Sequence, residues 1–230
     1  MRGHRGDDSS LLFEQPPEFE GLPEEGFGLF SIEDREQRRR AILDTIHPEL
    51  NKLGVDLLRR LSRKSTLELH THLPRLDWPR GYQPFCTWLA LSGEPHGYQA
   101  GPQLNVGVHA PYVAVRLGWD TSAPAFGRFE FLGRVGHLGP PLLRLAEEHG
   151  LIFRVYAAAP WPEGSRLVYE TSTDLPATFD EVTRRGVWWE LGRRFEVPAE
   201  LPLISSAEFG RKAAGILERM LPVYESIVGE

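Results

Sequence analysis

A change of hydrophobic period near residue 85 limits what this chain can fold into. Before it, Ile42, Leu43, Ile46, Leu50 and Leu53 recur at steps of three and four, the pattern of one buried helix face. After it, Phe85 to Leu91, Gln103 to Val108 and Tyr112 to Trp119 are short runs rich in β-branched and aromatic residues. Turns containing Gly and Pro separate them, so they read as an antiparallel meander. A helix over Pro141 to His149, stopped by Gly150, precedes a second hairpin of Leu151 to Ala157 and Arg166 to Glu170. Leu175 to Arg185 is expected to be helical and Val187 to Val197 extended. The chain then closes on an amphipathic helix, Ser205 to Val228, whose apolar stripe is Phe209, Ile216, Leu217, Met220, Val223 and Tyr224. Strands arriving in antiparallel runs, punctuated by helices, give an α+β class with a mainly antiparallel sheet and exclude a doubly wound parallel fold.

The first helical region is expected in two pieces. Ser31 is positioned to cap its start ahead of Glu33 and Asp34, Pro48 to kink or split it, and Gly54 to break it before a short helix from Val55 to Lys64. Residues 1 to 26, with Pro16, Pro17 and Pro23 among acids and glycines, read as a mobile acidic leader, and residues 27–230 as a single domain. Charge follows that division. Residues 1 to 34 sum to −7, whereas residues 35 to 80 sum to +5, within a net charge of −6 for the 230 residues. No apolar run approaches the roughly 20 residues of a bilayer crossing, and the N-terminus lacks the apolar core of a secretory signal. With one cysteine, Cys86, an internal disulfide is excluded, and a cytoplasmic setting is expected.

The common catalytic signatures are missing: there is no GxxxxGK[ST] loop, GxGxxG, HExxH or GxSxG elbow. Three weaker features remain. His70-Thr71-His72, with Arg75 and Asp77 beyond, would place both imidazoles on one side of an extended segment, a spacing suited to a metal, to a phosphate, or to plain backbone hydrogen bonding. His109 and Asp120 are the available extra ligands. The stretch Arg184-Arg185-Gly186-Val187-Trp188-Trp189-Glu190-Leu191-Gly192-Arg193-Arg194 alternates, sending Val187, Trp189 and Leu191 to one face and Trp188 and Glu190 to the other. A partly exposed Trp188 between arginine pairs would stack a base, or the arginines would cover a buried indole. The third is Gly93 to Pro102, a glycine-rich excursion holding His96 and Tyr98, which is either a binding loop or an ordinary hairpin loop. Cys86, among apolar neighbours in a strand, is a packing residue first.

Several short motifs together resemble the YktB-like family of uncharacterised bacterial proteins. Their order runs Phe30 and Ile32, Ile46-His47-Pro48-Glu49-Leu50, Leu53-Gly54, His72 with Arg75, Thr87-Trp88-Leu89, Gly97-Tyr98, Pro102-Gln103-Leu104 and Val106-Gly107. Arg185-Gly186, Gly192-Arg193 and Leu221-Pro222-Val223-Tyr224 continue it, so the resemblance covers residues 27 to 228. It implies a single α+β domain with an antiparallel sheet and implies no known activity. The segment Leu73 to Arg80 departs from the family's more basic stretch, keeping one matched arginine and adding a proline.

Two functions follow as expectations. The first is a non-catalytic binding module for an anionic ligand, a nucleotide or nucleic acid, with a small-ligand site of His70, His72, Arg75, Trp88, Tyr98 and His109. A nucleic-acid face would use Arg39, Arg60, Arg185, Trp188 and Arg193. The alternative is a small hydrolase or phosphodiesterase in which His70, His72 and His109 share acid, base or metal duties, with only Asp77 and Asp120 as nearby carboxylates. No metal site, cofactor, membrane association or oligomeric state is specified by the residues.

Overall fold

A computed structural model describes residues 18–76, 85–95, 101–120, 141–142, 144–156, 167–171 and 188–228. Its frame is one antiparallel sheet with strands β1 His70–His72, β2 Cys86–Ser92, β3 Gln103–His109, β4 Tyr112–Asp120, β5 Ile152–Tyr156, β6 Leu167–Thr171 and β7 Trp188–Glu196. The spatial order is β1-β2-β3-β4-β7-β5-β6, so the last strand lies inside the sheet, between the meander and the β5–β6 hairpin. The α+β architecture and the antiparallel sheet are as the sequence pattern requires.

Two long helices cover one face of the sheet, α1 (Arg35–Leu61) and α2 (Ala207–Val228). Period-two alternation supplies the matching surface: Leu89 and Leu91 on β2, Leu104, Val106 and Val108 on β3, Val113, Val115 and Leu117 on β4, and Leu191 and Phe195 on β7 are all buried against the helices. At roughly 1.5–3 kcal/mol for each fully buried large apolar side chain, this layer is the main source of stability. Gly54 faces the sheet where a Cβ would lie 3.1 Å from Leu89 Cδ1, which explains a glycine in the middle of a helix.

Two expectations about α1 are corrected. The helix is continuous from Arg35 to Leu61, with Pro48 and Gly54 inside it, because the apolar stripe Ile42, Ile46, Leu50, Leu53, Leu57, Leu61 runs unbroken across both and its burial outweighs two local defects. Its cap is Asp34, which accepts from the Gln37 backbone N–H at 2.7 Å, while the Ser31 hydroxyl donates back to the Gly28 carbonyl. Ahead of Phe27, the described residues already pack on the domain. Phe19 and Leu22 are buried, Phe19 packs on Phe209 with ring centroids 6.4 Å apart, and the Leu22 N–H donates to the Ile204 carbonyl at 3.0 Å. The glycine stop at Gly150 is observed, with φ of +61° and the Leu151 N–H reaching back to the Ala146 carbonyl. The expected helix from 175 to 185 lies outside the described residues.

Candidate functional site

The face of the sheet turned away from the helices carries a different chemistry. Alternation sends Gln103, Asn105, Gly107 and His109 of β3 to it, with Ala114, Arg116 and Gly118 of β4, Trp188, Glu190, Gly192 and Arg194 of β7, and Arg154 and Tyr156 of β5. Gln103, Asn105, His109, Arg116, Arg154 and Glu190 are all buried there. Burying that much polarity without partners would cost several kcal/mol, and Gln103, Asn105, Arg116 and Glu190 have partners within the face.

Glu190 is the organiser. Its Oε2 accepts from Arg116 Nη1 at 2.5 Å and from Trp188 Nε1 at 3.3 Å. Its Oε1 accepts from Arg194 Nη2 at 3.3 Å and from the Tyr156 hydroxyl at 3.4 Å, and Arg154 Nη1 stands 3.9 Å away. Tyr156 in turn accepts from Arg194 Nη2. Burial alone would raise the carboxyl, but Arg116, then Arg194 and Arg154, together with the Trp188 N–H, hold it down at about 2. A carboxylate so fully engaged at neutral pH is neither a general acid nor an available base. It acts as the counter-ion that keeps the guanidinium groups in place.

Small residues let these long side chains lie across the sheet. A Cβ on Gly118 would come within 2.6 Å of Trp188 Cζ2, and one on Gly192 within 2.6 Å of Arg116 Cβ. A Cβ on Gly107 would meet polar atoms instead. The point where its Cβ would sit is 3.0 Å from Arg116 Nη2, 3.3 Å from Asn105 Oδ1 and 3.3 Å from His109 Nε2. Three polar atoms therefore gather around Gly107, which has no side chain to separate them. Arg116 commits Nε to Asn105 Oδ1 at 3.2 Å and Nη1 to Glu190, and Nη2 is its nitrogen nearest that point. His109 is 4% exposed, its ring is stacked on Tyr112 at 4.4 Å, and its Nε2 is buried with no hydrogen-bond partner. Burial, reinforced by Arg116, pushes its protonation well below the ordinary histidine range, so the ring is neutral. Arg194 closes the edge of the group, its Cζ 4.2 Å from the centre of the Tyr112 ring.

The residues singled out in the sequence scatter across this geometry. His109 is in the site and Trp88, paired in register with Gly107, stands beside it. His70 and His72 sit on the edge strand β1, where His72 Nε2 bonds the Glu94 carbonyl at 2.9 Å, the plain backbone role. His72 pairs with Ala90, which pairs with Asn105, four residues along β3 from His109. At ~3.3 Å per strand residue, roughly 13 Å of strand length separates them, and the three histidines form no common centre. Among the described residues no group of three or more His, Cys, Asp or Glu side chains is placed to hold a metal ion. Arg75 is exposed beside Leu76, whereas Tyr98 and Arg185 lie outside the described residues, as does Asp77. Trp188 is corrected from partly exposed to fully buried, because Gly118 leaves it a slot on the polar face and Glu190 satisfies its N–H. Arg39 pairs with Glu36 at 3.1 Å and Arg60 is exposed near the end of α1. Arg193 pairs with Glu200 at 2.8 Å and lies over Phe195 on the helix side of the sheet, away from Trp188. Cys86 is buried, and burial pushes its thiol up to about 12, consistent with packing and not with nucleophilic chemistry.

The sequence reading missed Arg116, Arg154 and Asn105 altogether, and named Glu190 only for its place in an alternating strand. The signal was available: Arg116 interrupts Tyr112-Val-Ala-Val, and Arg154 and Glu190 interrupt strands that are otherwise apolar or aromatic. A lone charge amid a two-sided apolar strand has to be paired inside the protein.

Comparison with known proteins places part of this frame. Residues 23–125 match the family profile described as Domain of unknown function (DUF1054). A UPF0637 protein of Oceanobacillus iheyensis is 31% identical over 97 residues, covering 42% of this chain and 47% of that protein. Over that stretch the chain is similar to the UPF0637 proteins. A second UPF0637 protein, from Shouchella clausii, is 28% identical over 107 residues, or 46% of this chain and 51% of its own length. One from Listeria welshimeri is 29% identical over 115 residues, or 48% and 56%. The chain spans about half the length of these curated relatives, and the resemblance to the YktB-like family stands on that half. The matched profile holds α1 and β1 to β4, hence Asn105, Gly107, His109 and Arg116, while Glu190 and Arg194 on β7 lie beyond it. No helix among the described residues is long and apolar enough to cross a membrane.

Proposed function

We propose that this chain, similar to the UPF0637 proteins, binds a small anionic molecule on the polar face of its sheet, beside His109 and Arg116. The observation that carries the reading is the buried His109 Nε2, which lacks any hydrogen-bond partner and is grouped with Arg116 Nη2 and Asn105 Oδ1 around Gly107. A buried polar atom without a partner is costly by about 1–3 kcal/mol, and a ligand atom there removes that cost. The guanidinium groups of Arg116 and Arg194 face one carboxylate, Glu190, so the cluster of these three keeps an excess positive charge, which favours an anion in a site of low dielectric. With Arg39 and Arg60 on α1, Arg193 on the helix side of the sheet and Trp188 buried on the other, a compact ligand suits the arrangement better than a polymer.

Gly107→Ala tests this, since the added methyl would lie 3.0–3.3 Å from Arg116 Nη2, Asn105 Oδ1 and His109 Nε2 and crowd any group bound to them. Thermal melts of the full chain are to be recorded with phosphate, sulfate, acetate, citrate and AMP. The expected result is saturable stabilisation by at least one of them, approaching ~2.7 kcal/mol at a hundredfold excess over Kd, and its loss in Gly107→Ala. No stabilisation by any of the five, or undiminished stabilisation of the variant, overturns the proposal.

A further inference from the structure

We draw no further inference here: the strongest candidate, the acidic cleft that Glu20, Glu24, Glu25, Asp44 and Glu49 line between residues 20–25 and α1, carries nothing, because it is a cluster of carboxylates with Lys52 already bonded to Glu49 at 2.7 Å and no second feature among the described residues shows what would fill it.

Discussion

Replacing Glu190 by Gln keeps the shape of the side chain and removes its charge, leaving Arg116 and Arg194 facing one another across a buried neutral amide. Two routes give the size of the effect. The Glu190 carboxyl is held at about 2 against an ordinary 4.5, and at ~1.36 kcal/mol for each tenfold step this amounts to roughly 3 kcal/mol of folding free energy. Breaking a buried ion pair by removing one partner costs about 3–5 kcal/mol in general, so the two agree. The sign follows from the direction of the shift: an acid whose folded value is lowered contributes its full stability above about pH 4.5 and loses it as the pH falls towards about 2. Urea unfolding of both proteins at pH 7 is expected to show Glu190→Gln less stable by roughly 3–4 kcal/mol. Repeated down the acid range, the difference is expected to shrink as wild-type Glu190 itself becomes protonated. A variant within about 1 kcal/mol of wild type at pH 7, the level of an ordinary surface pair, would refute the claim that this carboxylate organises the polar face.

His47 Nε2 lies 2.8 Å from the Thr87 hydroxyl, and burial lowers its pKa from 6.5 to about 4, so stability should fall as the pH drops through that window, by up to ~3 kcal/mol. His47→Gln is expected to flatten the slope of stability against pH there by one proton, and an unchanged slope would show that His47 is protonated when folded. Gly118→Ala places a methyl 2.6 Å from Trp188 Cζ2 and is expected to cost about 2–3 kcal/mol in a denaturant melt, with a change in near-ultraviolet circular dichroism as the indole is displaced. A neutral result would mean that the indole has room to move.

The contrast between what the sequence exposed and what it hid has a physical basis. Strands β2 to β4 and β7 were legible almost to the residue because β-branched and aromatic runs between Gly and Pro turns admit few other readings, and α2 because its stripe has a single period. The division of α1 failed because Pro48 and Gly54 are local signals, while the stripe from Ile42 to Leu61 is buried by partners distant in sequence. The site was harder for a related reason. Alternation says which residues share a face, and it placed Glu190 opposite Trp189 correctly, but it says nothing about whether a polar face meets water or protein. Histidines two apart drew attention as a local motif, yet strand pairing puts His72 on the sheet edge and brings His109, Asn105 and Arg116 together from β3 and β4, with Glu190 and Arg194 arriving from β7 some 74 residues after Arg116. Only pairing in register makes that group, and the residues that permit it are glycines whose side of the strand matters more than their flexibility. The more dependable warning in a sequence of this kind is therefore a single charge inside an apolar strand, as at Arg116, Arg154 and Glu190, since such a charge folds only if the sheet delivers its partner.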